Sequence, residues 1–427
     1  MGDEQLEKCR ALLLQGEFGL EMEGLRVKRD GFLSHTPHPF GNHSHIVRDF
    51  CENQIEINTG VENSPRDAVE VLGKFYREIQ TALYRLPEPE YLWPFSNPPY
   101  IKGESDIPIA QFAGAEREKT VYRNYLSERY GRYKMTFCGI HLNYSFTEEF
   151  LQLQYKQSGL ESYQAYKNQF YLQLAEKLVQ YGWLLVAVTA ASPMLDSSFV
   201  ETGIWGRDAF SGMSSVRCSE LGYWNFFTPV FSYSDLDAYL SRLQWDIDEE
   251  WITSPSELYY PIRVKPKGEN SISNLKENGI NHIELRMIDV NPLAPYGIDE
   301  RDVEFVQLLM GWLVSLPSSE LSWQEQIQAV QNMKDAAHYD WKTVRIQSLH
   351  GNYISMEDGA VEILQDMKQF YETFPEWDRM RAILDFEEEK FKNPSSRYAW
   401  QIRQQYGEQY VEKGLQLAKK KQKACIR

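Results

Sequence analysis

Short runs in which apolar and ionisable residues alternate punctuate the chain up to about residue 290. In FGLEMEGLRV (18–27), Glu21 and Glu23 share one side while Leu20 and Met22 share the other. QIEIN (54–58) sets Ile55 and Ile57 against Gln54, Glu56 and Asn58. GIHLNYSF (139–146) alternates His141, Asn143 and Ser145 with Ile140, Leu142, Tyr144 and Phe146. HIELRMIDV (282–290) does the same with His282, Glu284 and Arg286 against Ile283, Leu285 and Met287. A period of two predicts strands, each with one apolar and one polar face.

Between these runs the spacing changes to three and four. Residues 66–86 carry Val69, Leu72, Phe75, Ile79 and Leu83 on one stripe, start after the cap-and-proline pair Ser64-Pro65 and stop before Pro87, which predicts a helix. Further helices are expected over 160–181 and 300–316, and beyond about residue 318 the chain reads as almost wholly helical. The run GWLLVAVTAA (182–191) is the longest strongly apolar stretch, too short to span a bilayer and expected to be a buried core segment. The Lys-rich tail, 413–427, reads as a solvated, frayed helix end. No repeat and no long linker interrupts the chain, so one large α+β unit over residues 1–427 is expected.

Composition narrows the function. Hydrophobic residues make up 42% of the 427 positions and aromatics 14%, ample for a packed core. The 45 Lys and Arg against 61 Asp and Glu leave a formal charge of −16, which disfavours broad adhesion to nucleic acid or anionic membrane. An anionic substrate would need a local cluster of cations or metal ions. The five cysteines are widely spaced, with no C-x-x-C pair, so neither a zinc site nor a disulfide framework is signalled. The charged first ten residues hold no signal-peptide core, and a soluble, cytosolic protein is expected.

The polar strand faces are the chemical signal. Any one of them is satisfied by an antiparallel sheet with one side packed on helices and the other in water. Together they carry Glu, Glu, Glu, His and Glu, and carboxylates gathered on one surface repel unless cations intervene. Such an oxygen-rich set with one imidazole suits magnesium or manganese. Arg286, on the face of Glu284, adds a guanidinium suited to a phosphoryl group in transfer. No P-loop and no G-x-G-x-x-G is present, so phosphate binding must rest on metals and arginines.

Eight stretches then resemble, in order, the bacterial glutamate–cysteine ligases and the N-terminal half of the bifunctional glutathione synthetases: FGLEMEGLRVKRDG with TPHP, RDFCENQIEI, YLWPFSNPP, YRNYLSERYG with CGIHLNYSF, AASPMLDSSF, RCSELGY, ELYYPIRVKP and HIELRMIDVNPLAPYGID. They span about residues 16–315, ahead of the helical region at about 318–427. The resemblance implies a glutamine-synthetase-like fold, in which a curved, mainly antiparallel sheet backed by helices forms a funnel. It also implies an ATP-dependent ligase joining the γ-carboxylate of glutamate to the amine of cysteine through an acyl phosphate, the first step of glutathione synthesis, with two or three magnesium ions. By the same resemblance the metal ligands are Glu21, Glu23, Asp49, Glu56, His141 and Glu284, with Asp49 approaching from a loop. Arg286 and Arg123 meet the phosphates, Arg217 holds the α-carboxylate of glutamate, and Phe50, Tyr122, Tyr223 and Tyr259 form the acceptor pocket. The implied partners are small molecules: glutamate, ATP, and cysteine or another amine.

The chain departs from the family pattern at Asn97, which replaces an apolar Met, at Cys138, and at Asn58-Thr59-Gly60. These positions bear on the acceptor more than on the metal ligands. A γ-glutamyl ligase for another amine is therefore the alternative, and a catalytically silent binding protein on the same fold a remote one. The chain is too short for the second ligase of the bifunctional enzymes, so the expected product is the γ-glutamyl dipeptide.

Overall fold

The computed structural model describes residues 3–200, 208–222, 224–318, 320–347 and 352–426. Its strands are β1 (Gly16–Val27), β2 (Ile46–Arg48), β3 (Gln54–Asn58), β4 (Tyr91–Leu92), β5 (Gly139–Phe146), β6 (Met194–Asp196), β7 (Asp208–Phe210), β8 (Ile262–Lys265), β9 (His282–Asp289), β10 (Arg345–Gln347) and β11 (Tyr353–Ser355). Its helices are α1 (Asp3–Leu13), α2 (Pro65–Tyr84), α3 (Arg117–Tyr130), α4 (Glu148–Ser158), α5 (Tyr163–Thr189), α6 (Leu236–Asp248), α7 (Ile272–Asn278), α8 (Glu300–Ser315), α9 (Trp323–Ala336), α10 (Met356–Tyr371), α11 (Trp377–Lys392), α12 (Tyr398–Tyr406) and α13 (Tyr410–Cys425).

The four alternating runs are the four longest strands, and all belong to one sheet. Its order is β2-β3-β1-β5-β9-β8, with β4 on β1, and every pairing is antiparallel. Leu20, Met22, Ile55, Ile57, Ile140, Leu142, Ile283 and Leu285 are all buried, on the side covered by α2 and α5, against which α8 packs in turn. Each such side chain contributes roughly 1.5–3 kcal/mol by leaving water. That asymmetry fixes the register, because a slip of one residue would turn every carboxylate into the core. A single hydrophobic cluster runs from Leu12 through the sheet and helices to Tyr410.

α2 begins where the cap predicts: the Ser64 hydroxyl accepts from the Asp67 N–H at 3.1 Å, and Pro65 opens the first turn. Three expectations need correction. The helix expected to stop at Tyr181 continues as α5 to Thr189 and absorbs most of the apolar run. Gly182 does not end it, because the missing side chain admits Met333 of α9; a β-carbon there would stand 2.7 Å from Met333 Cε. The C-terminal region is not wholly helical, since β10 and β11 form a hairpin whose Ile346 is fully buried against Gly359. The Lys-rich tail is not frayed. α13 lays Ala418 and Gln422 into the protein, and Gln422 Nε2 donates to the carbonyls of Glu90 (2.8 Å) and Gln80 (3.3 Å). Lys421 Nζ donates to the carbonyls of Ala294 and Pro295 at 2.5 and 3.1 Å. No helix among the described residues is long and apolar enough to cross a membrane.

Candidate active site

Strand register assembles the site. Glu23 lies opposite Glu56, and Glu21 opposite both Asn58 of β3 and His141 of β5. Glu284 of β9 lies opposite Asn143 on one side and Arg263 of β8 on the other. A bulge interrupts the β5–β9 ladder: Ile140 pairs with Ile288 but Leu142 with Leu285, so Arg286 and Met287 together oppose His141. The extra residue bends the strand locally, and Arg286 Nη1 lies 3.4 Å from Glu284 Oε2 and 3.3 Å from His141 Nδ1.

One cavity of about 270 Å³ is lined by Glu21, Glu23, Asp49, Glu56, His141 and Glu284, all six expected metal ligands. Arg286, Arg123, Phe50, Tyr122 and Tyr259 line it too. Asp49 lies just beyond β2, in the loop position expected for it, and its carbonyl accepts from Arg123 Nε at 2.6 Å. Arg217 is not in this cavity. It lines an adjoining slot with Cys218 and Trp224, and Tyr259 and Arg286 border both spaces. Tyr223 lies outside the described residues. A second hollow of about 550 Å³ continues along the same sheet face past Glu21, Asn58, Asn143, Lys265, Lys267 and His282.

Glu21, His141 and Glu284 offer ligating atoms that all lie within 4.8 Å of one another, from three adjacent strands. His141 Nδ1 is 3.1 Å from Glu21 Oε2, and Asn143 Nδ2 donates to Glu21 Oε1 at 2.9 Å. Burial and the Arg286 charge push the His141 pKa down to about 4, so the imidazole is neutral near pH 7. Nδ1 faces both Glu21 Oε2 and Arg286 Nη1, while Nε2 is buried without a hydrogen-bond partner, 3.9 Å from Glu23 Oε1. Glu284 Oε2 is likewise buried without one. Burial opposes the Glu284 carboxylate, yet Arg286, Arg263, Lys265 and His141 outweigh it and hold its pKa well below the usual range. Burial also opposes the Glu21 anion, but the His141 hydrogen bond brings its pKa below the ordinary value.

Glu23 and Glu56 show the opposite strain. Burial and the Asp49 charge push Glu23 up to about 8, against Arg217 and Arg286. Burial, Asp49, Glu21 and Glu23 drive Glu56 well above the carboxylate range. Carboxyls so crowded that ionisation is disfavoured, beside a buried imidazole nitrogen without a hydrogen-bond partner and a carboxylate held ionised by cations, form a donor set that fits a hard divalent cation.

Sequence reasoning left Arg263 and Lys265 unassigned. Both line the cavity, 3.5 and 3.4 Å from Glu284. The signal was present: IRVK alternates like the other runs and lies beside HIELR in the sheet. Among the departures, Asn58, Thr59 and Gly60 line the second hollow, while Asn97 and Cys138 turn inward. Asn97 is fully buried, and its Nδ2 donates to the carbonyls of Ser192 and Met194 at 2.8 and 2.7 Å, so it secures a loop rather than lining the cavity. Cys51 and Cys138 are buried thiols with raised pKa values, chiefly from desolvation.

Comparison with known proteins places this geometry. The family profile described as glutamate–cysteine ligase matches residues 4–256 and 246–336. The glutathione biosynthesis bifunctional protein of Listeria monocytogenes is 33% identical over 425 residues, 96% of this chain and 55% of that protein. The chain thus spans about half the length of such bifunctional relatives. The glutamate–cysteine ligase of Alcanivorax borkumensis is 30% identical over 91% of this chain and 82% of its own. The glutamate–cysteine ligase structure from Francisella tularensis, solved with AMP, superposes with a TM-score of 0.85 at 22% identity, covering 96% of this chain and 89% of that one, a likeness of fold. A bifunctional glutathione synthetase structure from Pasteurella multocida gives 0.82 at 26% identity, over 99% of this chain and 54% of that one. By sequence and by architecture, the chain belongs to the glutamate–cysteine ligase family.

Proposed function

We propose that the chain is an ATP-dependent ligase that joins the γ-carboxylate of glutamate to the amine of cysteine. The observation that carries this reading is the convergence of Glu21, His141 and Glu284 within 4.8 Å, with Arg263, Lys265 and Arg286 against Glu284. Family membership supports the choice of substrates.

In this reading Glu21, His141 and Glu284 hold one divalent cation, while Glu23, Glu56 and Asp49 serve further ions, magnesium or manganese, two or three in all. The ions supply neutralisation of the nucleotide's terminal phosphates. The chain's own groups then do the positioning. Arg286 and Arg123 stabilise charge on the transferring phosphoryl group, with Arg263 and Lys265 beside Glu284. Arg217 takes the α-carboxylate of glutamate as a bidentate pair. The γ-carboxylate oxygen bonds to phosphorus as the bond to ADP breaks, and the acceptor nitrogen then bonds to the acyl carbon, releases phosphate and loses a proton. Phe50, Tyr122 and Tyr259 wall the acceptor side. Orientation and charge stabilisation suffice, with no covalent intermediate on the protein.

ADP release measured with glutamate, magnesium and a panel of amines tests the proposal. Cysteine should be the preferred acceptor. Equal rates with alanine would redirect the acceptor assignment, and no glutamate-dependent turnover with any amine would defeat it.

A further inference from the structure

Several motifs singled out in the sequence hold no metal ligand, yet they meet behind the cavity in a buried polar knot. Asp289, at the end of β9, is 1% exposed; its Oδ2 accepts from the Ala191 N–H at 2.9 Å and the Ser192 hydroxyl at 2.7 Å. The Val290 N–H donates to Ser96 Oγ at 2.7 Å, and the Cys138 N–H to the Ser96 carbonyl at 2.8 Å. Gly139 pairs with Asp289 across the ladder. The Arg217 guanidinium occupies the space beside this pair. A β-carbon built on Gly139 would stand 2.5 Å from Arg217 Nε and closer still to Cζ. Arg217 is itself buried, with Nη1 3.5 Å from the Ile288 carbonyl, and its charge reaches both Glu23 and Asp289. On the other side, the Gly139 N–H donates to Glu23 Oε2 at 2.9 Å.

We propose that Gly139 is a positioning residue that fixes the spacing between the two carboxylate sites of the donor. Its missing side chain seats Arg217, which takes the α-carboxylate, and its N–H holds Glu23, a carboxyl of the ion-holding wall at which the γ-carboxylate reacts. This deepens the ligase reading and rests on it. One residue with no atom to offer substrate beyond its backbone thereby sets the length of amino acid that reaches both ends of the site. The overlap falls on the far end of a flexible side chain, so Gly139→Ala should fold and displace Arg217.

The test is a double-mutant cycle of Gly139→Ala and Arg217→Ala, read as KM for glutamate and, separately, for ATP. Gly139→Ala should raise KM for glutamate roughly 10- to 100-fold, the scale of a lost charge-assisted hydrogen-bonded pair, and change KM for ATP less than about 3-fold. In the Arg217→Ala background the same change should alter KM for glutamate by less than about 3-fold. An unchanged KM for glutamate in Gly139→Ala, or fully additive effects, overturns the proposal while leaving the ligase reading intact. Should Gly139→Ala alone fail to fold, the double variant should recover folding; if it does not while Arg217→Ala folds, the proposal falls. Wild-type protein without glutamate-dependent ADP release overturns the ligase reading and this inference with it.

Discussion

At the scale of the residue, the site sets carboxylates against one another and balances only some of them. Glu284, held ionised by three cationic side chains, is the group whose charge the site most firmly retains. Glu284→Gln or Arg286→Ala should lower kcat by at least about 100-fold while leaving the circular dichroism of a folded protein, since each removes charge from a preorganised site. ADP release and a thermal melt check both. Glu23 gives a second prediction, in pH. Its pKa rises on folding from 4.5 to about 8, so the folded state binds the extra proton within that window. Stability without added cation should therefore fall as pH rises from 4.5 towards 8, and magnesium should raise the melting temperature more near the upper limit, where the carboxyl is free to ligate. A melt series with EDTA and with magnesium reads the sign. Much of this site was legible in sequence because period two tells which side chains share a face. What period two does not encode is which strands are neighbours, so Arg263 and Lys265 went unassigned. The resemblance put Arg217 with the donor, but not behind Gly139.

At the scale of the element, the helices behind the sheet are pinned by a buried charge cluster that no motif announced. Lys390 Nζ of α11 lies 2.9 Å from Asp302 Oδ1 of α8, 2.7 Å from Glu387 Oε2 and 3.0 Å from the Val188 carbonyl of α5, and the Tyr398 hydroxyl donates to Asp302 at 3.1 Å. Desolvation drives the Glu387 pKa well above the usual range against the pull of Lys390, and the Asp302 charge adds to the rise. Lys390→Met should cost about 3–5 kcal/mol, because it leaves Asp302 and Glu387 buried in the core without the ammonium that they share. Glu387→Gln, which keeps the shape of a group whose ionised form burial disfavours, should cost less than about 1.5 kcal/mol. Urea unfolding of the two variants separates them. The caps and the stripe of α2 could be read directly, whereas the end of α5 could not, because Gly182 interrupts propensity locally while Met333, far along the chain, supplies the reason to continue. The β10–β11 hairpin was hidden for the same cause: Arg-Ile-Gln has too few positions to show a period, and Gly359 makes the room for it.

At the scale of the whole molecule, a chain of net charge −16 lines one hollow with four cationic side chains, Arg123, Arg263, Lys265 and Arg286. The frame of that hollow is closed by α13. Trp93 of the strand-following loop donates Nε1–H to the Asn97 carbonyl at 2.8 Å, and the Tyr410 hydroxyl donates to the same oxygen at 2.9 Å. Asn97 in turn secures the loop whose Ser192 reaches Asp289. A β-carbon on Gly414 would stand 2.9 Å from Trp93 Cζ3, 3.0 Å from Cζ2 and closer still to Cη2. Gly414→Leu should therefore cost about 1–3 kcal/mol by overpacking and lower turnover, although residue 414 lines neither the cavity nor the slot. A shifted urea midpoint with reduced ADP release is the expected pair of results. This docking has a consequence for synthesis. A polypeptide still leaving the ribosome can pair β1, β5 and β9 long before residue 410 has been translated, but the clamp on Asn97 must wait for it. A product terminated after β9 but before α13 would carry all six acidic and imidazole groups and still be without this brace of the scaffold beneath them, so such a fragment should lack a finished centre until α13 is made and docked.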